Sequence, residues 1–175
     1  MIFTRASGVD ITNVGSGNIG ATNVLRTGNK LAALLTLLLD IGKGAFAVLL
    51  ARHVLGQEAA LVAGLAAFLG HCFPLWLWFR GGKGVATFLG TALALNWLVG
   101  LMACATWLVV AAIMRISSLA ALVAAGLSPV FALVLGQWKL ALVLLAMAAI
   151  IYLRHHANIA RLMRGEEPKI GAKDE

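Results

Sequence analysis

The sequence predicts an all-α protein, a polytopic membrane helical bundle of about six spans. Three observations carry that prediction. Hydrophobic residues make up 61% of the 175 residues and charged residues only 12%. Mean hydropathy is +0.93, which leaves a water-soluble globule too little polar surface to cover itself. Basic residues, behind a formal charge of +7, gather beside apolar runs instead of forming one stripe interleaved with aromatics. That pattern points to membrane orientation and argues against nucleic acid as a partner.

The elements follow in order. A polar head of about thirty residues carries Gly15-Ser16-Gly17-Asn18-Ile19-Gly20-Ala21-Thr22-Asn23. The run from Leu31 to Arg52 then spans a bilayer at about 1.5 Å per residue. Asp40 and Lys43 sit inside it at i and i+3, so they are expected to face each other or the active site. A second run, Glu58 to Phe79, ends in Phe73, Trp76, Trp78 and Phe79 around Pro74, an interfacial belt. The polar segment from Arg80 follows on the same side.

From Val85 to Leu153 the apolar signal is almost unbroken. Its interruptions are Asn96-Trp97, Met114-Arg115-Ile116-Ser117-Ser118 and Gly136-Gln137-Trp138-Lys139. They divide it into four segments of roughly 13 to 21 residues, some short for a full crossing. Arg26, Lys30, Arg80, Lys83, Arg115, Arg154, Arg161 and Arg164 share one face only if an even number of crossings separates each group, which six spans satisfy. Both ends then lie in the cytoplasm. With no linker or repeat, residues 1–175 read as a single integral-membrane domain.

Cys72 and Cys104 lie in apolar segments without paired spacing and read as buried thiols. The adjacent pairs His71-Cys72 and His155-His156 point to different sides of a helix, so no metal site is expected.

Three polar segments remain, all on the same predicted face. The first matches Gly-x-Gly-x-x-Gly over Gly15, Gly17 and Gly20, but a dinucleotide fingerprint needs a βαβ unit that a membrane chain lacks. What survives is a donor-rich loop: glycine amides with Ser16, Asn18, Thr22, Asn23 and, one turn on, Arg26. The second, Gly81-Gly82-Lys83-Gly84, lacks nucleotide P-loop spacing, so ATP hydrolysis is not suggested. Its glycines still let the backbone curl around an anion, with Lys83 as a point charge and the positive end of the next helix behind it. The third, Arg154 to Glu167, is expected as a helix that sets His155, Asn158 and Ile159 on one face, with Arg161 close by. A basic juxtamembrane helix gripping anionic lipid explains its arginines but not its His and Asn.

These segments resemble the motifs of the bacterial acyl-phosphate:glycerol-3-phosphate acyltransferases, the PlsY family. The resemblance rests on Ser16-Gly17-Asn18-x-Gly20-Ala21-Thr22-Asn23, on Gly70-His71-x-x-Pro74 running to Gly81-Gly82-Lys83-Gly84-Val85-Ala86-Thr87, and on Arg154-His155-x-x-Asn158-Ile159-x-Arg161-Leu162-x-x-Gly165, in that order. Family members have seven helices, and Met1-Ile2-Phe3-Thr4-Arg5 stands where the first would finish. A shortened chain or a start site placed late is therefore expected.

The resemblance implies transfer of a fatty acyl group from acyl phosphate to the 1-hydroxyl of sn-glycerol 3-phosphate, the first step of phospholipid synthesis. Lysophosphatidic acid and phosphate would be the products. It implies a site facing the cytoplasm at the bacterial inner membrane, in contact with membrane lipid, and functional coupling to an enzyme that makes acyl phosphate. By analogy Lys83 and Arg26 bind the phosphate of glycerol 3-phosphate, with Gly81, Gly82, Gly84 and a serine of the inward loop, Ser117 or Ser118. Gly17, Gly20, Thr22 and Asn23 hold the acyl phosphate. Ser16, Asn18, His155 and Asn158 surround the reacting centre, with either His155 or the donor's own phosphate taking the hydroxyl proton. Acyl phosphate is a mixed anhydride with a good leaving group, so no cofactor is required.

Two other chemistries fit less well. No Gly-x-Ser-x-Gly elbow supports a serine nucleophile at Ser16. The His, four residues, Asp pattern of soluble-type acyltransferases fails, because His71 is followed at that spacing by Trp76 and His53 by Glu58. The rival from another class is a small transporter of a phosphorylated solute, which would set its anion-binding groups at the bilayer midplane.

Overall fold

The computed structural model describes residues 19–171, and all the regular structure among them is helical. A short α1 (Ala21–Arg26) leads into α2 (Lys30–Leu55), whose N-cap Asn29 accepts from the Ala32 amide at 2.9 Å. After Gly56 the chain turns back as α3 (Gln57–Cys72). A one-turn 3-10 helix, Leu75–Leu77, carries the aromatic cluster. Then follow α4 (Val85–Leu95), α5 (Trp97–Met114), α6 (Ser117–Val134), α7 (Trp138–Arg154) and α8 (His156–Arg164). The breaks before Trp97, Ser117 and Trp138 fall within the interruptions the sequence marks, and Asn96 caps α5 through the Leu98 and Val99 amides.

Four stretches among the described residues are long and apolar enough to cross a bilayer: Lys30–Leu55, Gln57–Leu77, Trp97–Met114 and Ser117–Val134. α7 passes the same test only together with α8, from which it is bent by 64°. The expected segment after Val85 is shorter than anticipated: α4 has 11 residues, about 16 Å, against a hydrocarbon core of about 30 Å.

α4 is nonetheless central. Phe88, Ala92, Thr87 and Thr91 are wholly buried, in a core shared with Val48, Phe68, Leu144, Met147 and Ile151. Glycines bring α2 and α4 into contact: a Cβ on Gly44 would meet Thr91 Oγ1 at 2.6 Å and the Thr87 carbonyl at 2.8 Å. With Gly90 against Ile41, the middle of α4 packs on the middle of α2.

Two ends of the bundle can be told apart. At one, Lys139 of α7 pairs with Glu58 of α3 at 2.6 Å, and Arg52 donates to the Leu95 carbonyl at 2.8 Å. At the other lie Lys83, Arg115, Arg154 and Arg161, with Arg115 joined to the C-terminal segment through Ile170. Cys72 is buried as expected, but Cys104 is only half-buried, because that face of α5 carries the exposed Leu101 and Leu108.

Candidate active site

The glycine loop is built by α3 and α4 together. Gly84 has φ of +85°, a left-handed conformation that favours glycine, and a Cβ there would overlap the Phe68 ring. Gly81 lies against the carbonyls of His71 and Cys72 with no room for a side chain. The loop is tied to α7 by Arg154, whose guanidinium donates to the Gly81 carbonyl at 2.5 Å and the Gly82 carbonyl at 3.3 Å. The same guanidinium lies 5.6 Å from the Phe73 ring centre, linking the loop to the aromatic turn.

Lys83 leaves this loop toward the chain's end. Its Nζ donates to Asn158 Oδ1 at 2.7 Å, joining groups 75 residues apart. Asn158, itself buried, passes its Nδ2 on to Glu167 Oε1 at 2.5 Å. Glu167 also accepts from Ser118 Oγ and from Arg161 Nε, each at 2.7 Å. A single carboxylate thus orients a hydroxyl from α6 and an amide and a guanidinium from α8.

Charge in the cluster follows from burial and neighbours. Burial pulls the Lys83 ammonium down to about 8; Glu167 opposes this, while Arg161, Arg26 and Arg154 add to it. Arg26 therefore lies within charge range of Lys83. Glu167 is raised by burial, but the hydrogen bonds from Asn158, Ser118 and Arg161 outweigh that and hold it below the usual carboxylate value. Burial also lowers His155, to about 4, with its hydrogen bond to Ile151 working the other way and Lys83 adding to the fall. His155 is thus neutral at pH 7. Its Nδ1 lies 2.8 Å from the Ile151 carbonyl, which only accepts, so the proton is on Nδ1 and Nε2 keeps a lone pair.

The third segment departs from expectation. It is not one helix: α7 ends at Arg154, His155 occupies the joint, and α8 leaves at the bend. His155 and Asn158 still end up buried beside each other because the Ile159 amide bonds the His155 carbonyl across the joint at 2.8 Å. Ser117 and Ser118 belong to the first turn of α6, not to a loop, and it is Ser118 that reaches the cluster.

In the first segment, Gly20 stands at the N-cap of α1, Thr22 is exposed, Asn23 is buried and Arg26 is half-buried. Ser16, Gly17 and Asn18 lie outside the described residues. Sequence reasoning gave no role to Arg154 or Glu167. Both carried a signal, a charge at the end of an apolar run or just after a basic helix, but nothing local says which distant backbone or side chain they meet.

Comparison with known proteins adds an independent line. The family model for glycerol-3-phosphate acyltransferase matches residues 1–165. The chain is 65% identical over 162 residues to the glycerol-3-phosphate acyltransferase of Jannaschia sp. (strain CCS1), covering 93% of this chain and 80% of that one. It is 59% identical over 174 residues to the protein of that name from Cereibacter sphaeroides (strain ATCC 17025 / ATH 2.4.3), covering 99% and 83%. Among solved structures it is similar to the glycerol 3-phosphate form of PlsY (YgiH), described as an integral membrane glycerol 3-phosphate acyltransferase. The TM-score is 0.93 at 38% identity, covering 97% of this chain and 86% of that one. The lysophosphatidic acid form of PlsY gives 0.90 at 36%, with the same coverage.

Proposed function

The chain belongs to the glycerol-3-phosphate acyltransferase family, and on that premise we propose that the Lys83–Asn158 cluster is where its acceptor binds. The protein is a multi-pass membrane enzyme that moves a fatty acyl group from acyl phosphate to the 1-hydroxyl of glycerol 3-phosphate, yielding lysophosphatidic acid and phosphate. One observation carries the site: the 2.7 Å bond from Lys83 to Asn158 brings the second and third polar segments to one point.

The acceptor's phosphate fits the glycine loop, with Lys83 and Arg26 as cations and the first amides of α4 as the positive end of a helix; Ser118, whose one proton goes to Glu167 in the free enzyme, donates to the phosphate on leaving that carboxylate. Its glycerol then extends toward His155. Nε2 of a neutral His155 accepts the 1-hydroxyl proton as the oxygen attacks the acyl carbon. Amides at Gly17 and Gly20, with Ser16 and Asn18, are assigned to the carbonyl oxygen and phosphate of the donor. The C–O bond to phosphate breaks and phosphate leaves with the electron pair. A donor phosphate oxygen is the alternative proton acceptor.

We also place this end of the bundle at the cytoplasmic face of the bacterial inner membrane, since Arg80, Lys83, Arg115, Arg154 and Arg161 collect there. An enzyme that makes acyl phosphate is the expected functional partner, and residues 1–175 act as one domain. The test is release of inorganic phosphate by purified protein given palmitoyl phosphate and glycerol 3-phosphate, with acyl-CoA and acyl carrier protein as competing donors. Dependence on both substrates, and on acyl phosphate alone among donors, is expected. Activity only with acyl-CoA would overturn the donor assignment.

A further inference from the structure

Behind the glycine loop lies a second charged cluster, unused in the reaction as described. Lys43 Nζ of α2 lies 2.6 Å from Asp40 Oδ1 and 2.5 Å from His71 Nδ1 of α3, while Nδ1 and Oδ1 are 3.4 Å apart. An ion pair serving only stability would need Asp40 and Lys43 alone, since residues at i and i+3 meet unaided. The third member changes the chemistry.

A lysine ammonium only donates, so the nearer contact, from Lys43, calls for a lone pair on Nδ1 of His71 and a ring proton on Nε2, whereas a proton on Nδ1 would be directed at Asp40 Oδ1 instead. The side chain is 7% exposed. Its Nε2 edge faces Gly82 so closely that a Cβ at position 82 would overlap it, and the His71 carbonyl accepts from the Gly82 amide at 3.3 Å. Both ends of one residue therefore brace the same turn of the loop. Were Lys43 absent, the Asp40 carboxylate would favour a proton on Nδ1 and turn a bare nitrogen toward the loop.

We propose that Lys43, balanced by Asp40, fixes His71 as its Nε2–H tautomer, so that His71 acts as a positioning residue for the loop that receives the acceptor's phosphate. The ring presents its positive edge beneath the loop and fills the space left by the missing side chain of Gly82. This rests on the reading of that loop as the phosphate site. His71 acts through Gly82 and touches no reacting atom.

Lys43→Met, His71→Ala and His71→Gln test it, with Lys83→Ala as control. Lys43→Met and His71→Ala should raise the KM for glycerol 3-phosphate roughly ten- to hundredfold through misplacement of the loop, with kcat and the KM for palmitoyl phosphate nearly unchanged. His71→Gln, which returns an N–H to the Nε2 position, should recover most of the loss. Nitrogen-15 NMR of histidine-labelled protein should show His71 protonated at Nε2 in the wild type and at Nδ1 in Lys43→Met. An unchanged tautomer, or equal losses toward both substrates with no recovery in His71→Gln, overturns the proposal. If Lys83→Ala raises the KM and the His71 variants do not, the site reading stands and this inference falls. If Lys83→Ala is silent, both fall.

Discussion

Replacing Lys83 by Met removes one positive charge from the glycine loop while keeping a similar length of apolar stem. In the free enzyme its ammonium donates to Asn158 Oδ1 at 2.7 Å, so a phosphate held there meets a donor already aimed. At about 4 Å and an effective dielectric of about 20, two unit charges attract by roughly 4 kcal/mol. Water lost from a half-buried ammonium reduces the net to the range of a charge-assisted hydrogen bond, about 1.5–3 kcal/mol. The KM for glycerol 3-phosphate should therefore rise roughly ten- to 150-fold. Phosphate release at saturating palmitoyl phosphate and varied acceptor measures it.

A pH series gives the second readout. Lys83 titrates at about 8, below the ordinary lysine value of 10.5, so raising pH through 8 removes its charge. Wild-type kcat/KM for the acceptor should fall above pH 8. On the acid side it should fall below about pH 6, where the phosphate monoester gains its second proton. Lys83→Met should lack the alkaline limb. An unchanged KM, or an alkaline limb that persists in the variant, would refute the assignment of Lys83 to the phosphate.

The remaining predictions concern the groups around it. His155→Ala should lower kcat by roughly 10²–10⁴ with little change in KM, and no acid limb near pH 6.5 should trace to His155, because it stays neutral down to about 4. A wild-type rate would instead assign the proton to the donor's phosphate. Glu167→Gln should lower the thermal midpoint in detergent, by about 1–3 kcal/mol in stability, since Asn158, Ser118 and Arg161 lose a charged acceptor. Because its folded value lies below the ordinary 4.5, the Glu167 contribution is present above pH 4.5 and lost on acidification, and the variant should lose that acid dependence. Gly44→Ala should destabilise by about 1–3 kcal/mol and cut activity, because a Cβ within 2.6 Å of Thr91 Oγ1 pushes α4 and its loop away from α2. An unaltered melt would show that the helices have room to separate.

Much of this protein is legible along the chain. Apolar composition sets the class, since a bilayer is the solvent that lets so few charges suffice. The breaks before Trp97, Ser117 and Trp138 announce themselves because each interrupts an otherwise uniform apolar run. Asp40 and Lys43 meet because a helix fixes i and i+3 together, and the Gly81–Gly84 loop is marked by a backbone freedom only glycine supplies. Local spacing dictates all of these.

Contacts across long sequence separations were decided only by packing. The break that puts His155 at a joint, the shortness of α4, the reach of Arg154 back to Gly81 and Gly82, and the convergence of Ser118, Asn158 and Arg161 on Glu167 have no local signature. Each depends on how the helices pack, with α2 and α4 brought close through Gly44 and Gly90, and on how far α7 runs before turning. Sequence supplied the groups able to hold phosphate and move a proton; the packed bundle chose their partners, because a buried polar group must find one and only the fold determines which lies within reach.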